Sequence, residues 1–530
     1  MNRMLIVFDN VARKQSFRAF WVGLLLSGCA VGPNFHPPQV PRIKHYTEDP
    51  LPVSTVSSAT IGGEKQVFHL GKKIPKQWWT VFHSKALNQL IDEAIHANPD
   101  MKAAAAALKV AHAQTMIQRA AFLPALTGNY APVRQLTAGT LSSNLSSNAY
   151  LYTLTTENLS VSYLPDVFGG TRRQVESVAA QEESALFQCE AIYLTLTSNV
   201  VLAAIQEASL RKQIDVTTHA IAIARKLYAI VKQEKVLGDI GMEDVATQAA
   251  LLAKTEASLP PLRLQLAQNR HLLASLSGRY SSERLRETFT LHDFVLPQAL
   301  PVSLPSALVA NRPDIRAAEA QLHAASAQIG VAVANRLPNI TLGGNGGYMP
   351  VTQSINSIPY FLGLLPLGPS LFWSLGGSLA GTLFDAGSRL YQQRAAVAAF
   401  DLAVAQYRRT VLNAFQNVAD ALKAVEMDAM TLSKVKAQAD AAKLSLDIAR
   451  RRRALGDVNY LNLLYAQQIY YQAIVSLAQT QATRFADTAG LFQALGGGWS
   501  QAEILAEPHP PYRAIVETLK VQLTSPFMLN

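Results

Sequence analysis

The residues that could do chemistry in this chain are few and dispersed. It has two cysteines, Cys29 and Cys189, and 11 histidines that nowhere gather. No HExxH, GxSxG or Gly-x-x-x-x-Gly-Lys occurs, so the spacings that build a zinc pair, a nucleophile elbow or a phosphate loop are absent from the sequence. Gly343-Gly344-Asn345-Gly346-Gly347 is flexible enough to wrap a phosphate, but no Lys-Ser/Thr follows it, and glycine within a strand is the better reading. The nine methionines are scattered, which leaves a soft-metal site without its ligands. No catalytic residue, cofactor or metal is expected. The one covalent chemistry lies at Cys29. Basic residues up to Arg18 precede the apolar run Ala19-Phe20-Trp21-Val22-Gly23-Leu24-Leu25-Leu26, which is too short to span a bilayer. That run ends in Leu26-Ser27-Gly28-Cys29, the order of small residues and cysteine at which a bacterial export signal is cut and the thiol acylated. Residues 1–28 therefore read as a lipoprotein signal peptide and Cys29 as the lipidated residue, with Ala30 after it, rather than Asp, as in cargo passed on to the outer membrane. Cys189 then has no disulfide partner and reads as a small buried apolar residue.

Composition narrows the class further. Of 530 residues, 49% are hydrophobic and 16% charged, against roughly 25% charged in soluble proteins. That is too apolar for disorder. No uninterrupted apolar stretch reaches the ~18 residues of a membrane helix, so contact with a bilayer would need a closed β-barrel or a lipid. The net charge of +10, less the leader's +3, leaves +7, with no lysine-rich tail to suggest nucleic acid. The proline-rich stretch Gly32-Pro33-Asn34-Phe35-His36-Pro37-Pro38 suits an extended spacer.

The elements come as a duplication. Ala97-Asn98-Pro99-Asp100 recurs as Asn311-Arg312-Pro313-Asp314, and Leu123-Pro124-Ala125-Leu126-Thr127 as Leu337-Pro338-Asn339-Ile340-Thr341. Gly170-Thr171-Arg172 recurs as Gly387-Ser388-Arg389, Leu237-Gly238-Asp239-Ile240 as Leu455-Gly456-Asp457-Val458, and Leu276-Ser277-Gly278 as Leu495-Gly496-Gly497. Landmarks in one order at a nearly constant offset mean two copies of one unit. Repeat 1 takes residues 87–300 and repeat 2 residues 301–499, between an N-terminal segment 29–86 and a tail 500–530.

Each repeat carries an alanine-rich helix (87–122, then 303–336), a polar region with strand alternation (125–165, then 339–383), and a long helix (Arg172 to about Leu237, then Arg389 to about Leu455). A Leu-Gly-Asp turn reverses the chain into a return helix, so the tunnel helices occupy 172–278 and 389–495. In the second long helix Val397, Phe400, Val404, Tyr407, Val411, Phe415, Val418, Leu422 and Val425 fall at alternating spacings of three and four, the seam of a coiled coil. Pro260-Pro261 interrupts the first return helix. Leu151-Tyr152-Thr153-Leu154-Thr155, Leu159-Ser160-Val161-Ser162-Tyr163 and parts of Leu371–Leu379 alternate polar with apolar, as transmembrane barrel strands do. Two hairpins give four strands per chain. Four strands cannot close a barrel, so several chains must pool theirs. The fold class is α+β, with β-strands for a membrane barrel and a long helical coiled coil.

These residues resemble the TolC/OprM outer-membrane factors, most closely the NodT-type lipoproteins of tripartite efflux pumps. The resemblance rests on Cys29 with Gly32-Pro33, on Trp78-Trp79 before Leu87, on both Asn-Pro-Asp or Arg-Pro-Asp segments and on both Leu-Pro turns. It rests also on Asn459-Tyr460-Leu461 with Leu463-Leu464 and Ala466-Gln467, and on Leu495-Gly496-Gly497-Gly498-Trp499. It implies a homotrimer with a twelve-stranded barrel among outer-membrane lipid, a helical tunnel through the periplasm, a periplasmic membrane-fusion adaptor and an inner-membrane pump. The turns Leu237, Gly238, Asp239 and Leu455, Gly456, Asp457 would be the adaptor-docking tips, ~100 Å of helix from the strands. For the periplasmic gate it implies Asp244, matching an aspartate of the closing network in related channels, and Arg453 as its partner between neighbouring helix pairs, with Arg450 as a substitute. Asn462 and Tyr465 stand where relatives carry further acids, so Leu461 and Tyr465 become an alternative constriction. Trp78-Trp79 is expected to pack the N-terminal segment on the helices. Arg450-Arg451-Arg452-Arg453, spread around a helix, is expected in solvent or between helices. A passive duct for small toxic compounds or drugs is the expected function, a duct for type I protein secretion or metal-ion efflux the alternative, and a non-conducting scaffold a third.

Overall fold

The computed structural model of the protein describes residues 30–39, 43, 45–140, 150–238, 240–283, 285–349, 351–352, 371–458 and 460–498. The signal peptide, Cys29, Asp239 and the 500–530 tail lie outside the described residues, as does the side chain of Leu461. The elements of the first repeat and its approach are β1 (Val67–Leu70), α1 (Lys85–Ala97), α2 (Pro99–Ala120), β2 (Ala125–Leu136), β3 (Leu151–Tyr163), α3 (Gly170–Val236), α4 (Met242–Ala257) and α5 (Leu259–Leu276). The second follows with β4 (Ala299–Val302), α6 (Pro305–Asn311), α7 (Pro313–Ala334), β5 (Asn339–Tyr348), β6 (Val351–Thr352), β7 (Leu371–Ala380), α8 (Ser388–Ala454) and α9 (Tyr460–Ala494). They divide into two compact units, Met1–Pro37 with Ala111–Glu182 and Gln321–Val404, and Pro38–Val110 with Glu183–Ala320 and Ala405–Asn530.

The first unit holds the sheet. Its long strands run in the order β2-β3-β5-β7, all neighbours antiparallel, with the two-residue β6 beside β3. The glycine run 343–347 lies inside β5, opposite bulky residues of β7: Gly344 faces Leu375 and Gly346 faces Trp373. Asp166 caps the helix that leaves the first hairpin, accepting from the amides of Thr171 (2.9 Å) and Arg172 (2.8 Å). Asp385 repeats the device with the amides of Gly387 (2.9 Å) and Arg389 (3.1 Å).

The second unit holds the main core. Trp78 and Trp79 are buried there, Trp78 stacked on Phe492 at 5.7 Å between ring centres, as expected for the N-terminal segment. The coiled-coil seam is buried at Tyr407, Val411, Val418, Leu422 and Val425. Cys189 is buried, and burial first, then the neighbouring Glu190, pushes its thiol up to about 12, so it is inert at neutral pH. Among the described residues one helix, α3, carries a window long and apolar enough to cross a membrane, but 56% of that window is buried inside the protein.

Three differences from the sequence reading have local causes. The alanine-rich helices are each broken, at Asn98 and at Arg312, because a residue before proline is driven out of the α region while proline itself opens the next helix well. The first return helix is likewise two helices, parted at Ser258, with Pro260 and Pro261 in the first turn of α5 where a missing N–H goes unused. Its counterpart α9 is unbroken. The parallel pairing of β1 with β4 was not foreseen, since four-residue strands so distant in sequence leave no period to read.

Candidate functional site

The sheet sorts its side chains by face. Leu371, Trp373, Leu375 and Leu379 alternate along β7 and are exposed, Trp373 by 78%. Register places them with Ile340 and Leu342 of β5, which continue through Val161 and Leu159 of β3 to Leu126 of β2. The positions between them, Thr127, Asn129, Asn158, Ser160, Ser162, Thr341, Asn345, Ser374 and Ser378, share the opposite face. Over β5, β7 and residues 159–163 of β3 one face is thus largely apolar and exposed, whereas Glu157, Thr155 and Thr153 continue that face along β3 and Tyr152 and Leu154 lie on the other. A water-filled lumen and a lipid exterior ask for that division.

Residues 31–35 strap onto the same unit. The Val31 amide donates to Phe168 O (3.1 Å), and the buried Arg173 donates to Val31 O (3.2 Å) and Asn34 Oδ1 (2.7 Å). Phe35 stacks on His323 at 4.4 Å, and Gly32 lies so close to Gly330 that a Cβ on Gly32 would collide with the Gly330 backbone. Ala30 is held against Gly169, just past the end of β3.

The helix reversals lie in the second unit. Gly238 (φ +84°) and Gly456 (φ +75°) take left-handed backbone, and a Cβ at either would meet nothing within 4 Å. Glycine serves there for conformation alone. Leu237 and Leu455 stand exposed beside them. Arg452 Nε donates to Asp457 Oδ2 at 2.8 Å across the second turn. The two helix pairs meet behind the turns in a small core of Leu227, Val231, Val245 and Leu464. Asp244 accepts from the amide of Gly241 (3.3 Å), closing the N-terminus of its own helix. Within the chain Arg453 pairs with Glu234 Oε1 at 2.5 Å, and Arg450 lies 3.5 Å from Asp447. The four arginines thus serve between helices and in solvent, not as one basic face. Glu234 went unnoticed in the sequence reading, although it stands 219 residues before Arg453, one off the repeat offset. Tyr465 is 65% exposed, next to the buried Leu464.

The described elements are thus four long antiparallel strands that lead in sequence into two helices of 67 residues, each followed by a reversal at glycine, an α+β architecture of sheet and long helices. The chain belongs to the outer membrane efflux protein family, whose model matches residues 90–279 and again 304–497, one match per repeat. It is similar to the pyoverdine export outer membrane protein OpmQ of Pseudomonas putida, 29% identical over 455 residues, 85% of this chain and 94% of that protein. Nodulation protein T of Rhizobium leguminosarum bv. trifolii is 27% identical over 480 residues, 90% of this chain and 96% of that one. The open state of the Neisseria gonorrhoeae MtrE outer membrane channel superposes with a TM-score of 0.74 at 25% identity, covering 89% of this chain and 98% of that one. The protein is accordingly an outer-membrane channel of an efflux system in a Gram-negative bacterium, from a family of channels rather than enzymes.

Proposed function

We propose that three copies pool their four long strands into a twelve-stranded barrel and form a passive export duct for small toxic compounds or drugs. In this reading a periplasmic adaptor docks on the turn residues Leu237, Gly238, Asp239, Leu455, Gly456 and Asp457 and couples the duct to an energised inner-membrane pump. The exposed apolar face over β5, β7 and the end of β3 carries the reading: among the described residues the edge strands β2 and β7 have no further strand partner, and lipid is the solvent that face fits. Planar-bilayer recording tests it: purified trimers should conduct, and a trimer that stays electrically silent even with its gate residues replaced would be a scaffold instead.

Cys29 is proposed to carry the lipid. The strap that follows it supports this, since Arg173 and the Gly32–Gly330 contact fix residues 30–34 beside the end of β3, where an acyl chain would enter the same leaflet as the strands. Cys29→Ser is expected to accumulate as uncleaved precursor. Intact-mass analysis of membrane-extracted protein checks it, and a free thiol at Cys29 in the wild type overturns it.

For the gate we propose a latch of Asp244 and Arg453 between neighbouring helix pairs, with Leu461 and Tyr465 narrowing the lumen behind it. Arg453 already pairs with Glu234 within the chain, so the latch would use its remaining guanidinium donors. An exposed pair is worth about 0–1 kcal/mol, but three of them can tip a nearly balanced equilibrium. Asp244→Asn keeps the helix cap and removes the charge. It is expected to raise single-channel conductance and drug leakage, while exchanging the charges at 244 and 453 restores closure. Wild-type conductance in Asp244→Asn would reduce Asp244 to a cap and leave Leu461 and Tyr465 as the constriction.

A further inference from the structure

A cavity of about 400 Å³ opens in the second unit over α3, walled by α4 and the start of α5 on one side and by α9 on the other. It lies where the repeats differ. The break at Ser258 imposed by Pro260 and Pro261 has no counterpart in α9, and Ser258 and Leu262 both line the space. Its floor is small and apolar, with Ala220, Ala224 and Leu227 buried along one stripe of α3. Three buried glutamines, one each from α3, α4 and α9, are among its lining residues. Two are engaged: Gln213 accepts from Gln479 Nε2 (3.0 Å), and Gln467 donates to Tyr471 Oη (3.3 Å). The third is not fully used. Gln248 is 1% exposed; its Nε2 donates to Ala224 O (3.4 Å), while its Oε1 is buried with no hydrogen-bond partner.

A buried acceptor left unmade costs free energy that a suitable donor recovers. We propose that this cavity is a binding site for a small, uncharged amphipathic molecule that donates one N–H or O–H to Gln248 Oε1 and lays its apolar body on Ala220, Ala224 and Leu227. The volume fits such a ligand, as pockets of about 300–1,000 Å³ hold compounds of this kind. An amide oxygen rather than a carboxylate at the focus selects a neutral donor over a cation. The site belongs to the wall of the helix bundle and is independent of how the turns dock or the gate closes.

N-phenyl-1-naphthylamine is a suitable probe, a single N–H on an aromatic frame that brightens in apolar surroundings. The experiment titrates it onto full-length trimers in lipid nanodiscs, with empty discs subtracting partition into lipid. Saturable binding is expected, about 5–10-fold tighter than that of the N-methylated analogue, which has no donor. Gln248→Leu should erase that difference between the two probes. Val475→Trp, which fills the cavity from α9, should abolish both and serves if Gln248→Leu fails to assemble. Equal affinity of wild type for the two probes, or no saturable binding because a neighbouring copy already fills the space, overturns the proposal.

Discussion

Replacing Gly238 and Gly456 together by valine is expected to abolish drug efflux while trimers still accumulate in the outer membrane. The backbone at both positions is left-handed, with φ of +84° and +75°, which costs an L-residue about 1–2 kcal/mol and a β-branched one more. No side chain or backbone atom lies within 4 Å of a Cβ built at either position. The penalty therefore falls on the turn and not on packing. The turn would relax by moving Leu237 and Leu455, whose exposed side chains are the proposed apolar docking tips. Paired asparagines, which tolerate this conformation, are expected to preserve efflux. Normal resistance with the valine pair would move adaptor docking elsewhere. Equal loss with valine and asparagine would make glycine's missing side chain, not its conformation, the requirement.

The long helices were legible almost to the residue. Arg172 to Leu237 and Arg389 to Leu455 compare with Gly170–Val236 and Ser388–Ala454, because an apolar seam and a glycine stop are both local signals. The repeat landmarks were legible as a pattern, but their purpose was not. Asn98 Nδ2 donates to Leu276 O (3.0 Å), and Arg312 Nη1 donates to Ala494 O (2.8 Å), so in each repeat the residue before the proline catches the last turn of the return helix. Two motifs some 180 residues apart were read separately and prove to be one contact. Strand alternation foretold the faces at 371–379 and 159–163, since a period of two survives in sequence whichever strand pairs with which, but not at 151–155, where Tyr152 and Leu154 fall on the face opposite Leu159 and Val161. Glu234, the β1–β4 pair and the groups around Arg484 were out of reach for the opposite reason. Each takes its meaning from a partner that only the tertiary fold supplies.

Arg484 carries the second large effect. Its side chain is 1% exposed in the second unit and donates to Gly62 O (2.7 Å), Thr55 Oγ1 (3.1 Å), Val425 O (3.2 Å) and Glu64 O (3.2 Å). It thereby binds the 55–64 segment to α8 and α9. Beside it, burial first, then a hydrogen bond from Asp487 and that group's charge, raise Asp428 from the usual 3.8 to about 7, with Arg484 opposing them. Arg484→Met removes these four hydrogen bonds, although Thr55 Oγ1 still accepts from the Gln66 amide (3.0 Å), and it removes the positive charge beside Asp428, a change that costs about 3–5 kcal/mol when a buried charge pair is broken. Limited proteolysis is expected to cut within 55–64 in the variant and not in the wild type. Because the folded Asp428 pKa lies above its unfolded value, the native state holds the extra proton between about pH 4 and 7, and stability falls as pH rises through that window. Without Arg484 the Asp428 carboxyl resists ionising still further, so the variant's deficit should grow with pH. Melting of wild type and Arg484→Met at pH 5 and pH 8 measures this: a drop of several degrees at pH 5 and a larger one at pH 8 is expected. Equal drops would mean that Arg484 acts only as a hydrogen-bond donor to the 55–64 segment and has no hold on the ionisation of Asp428.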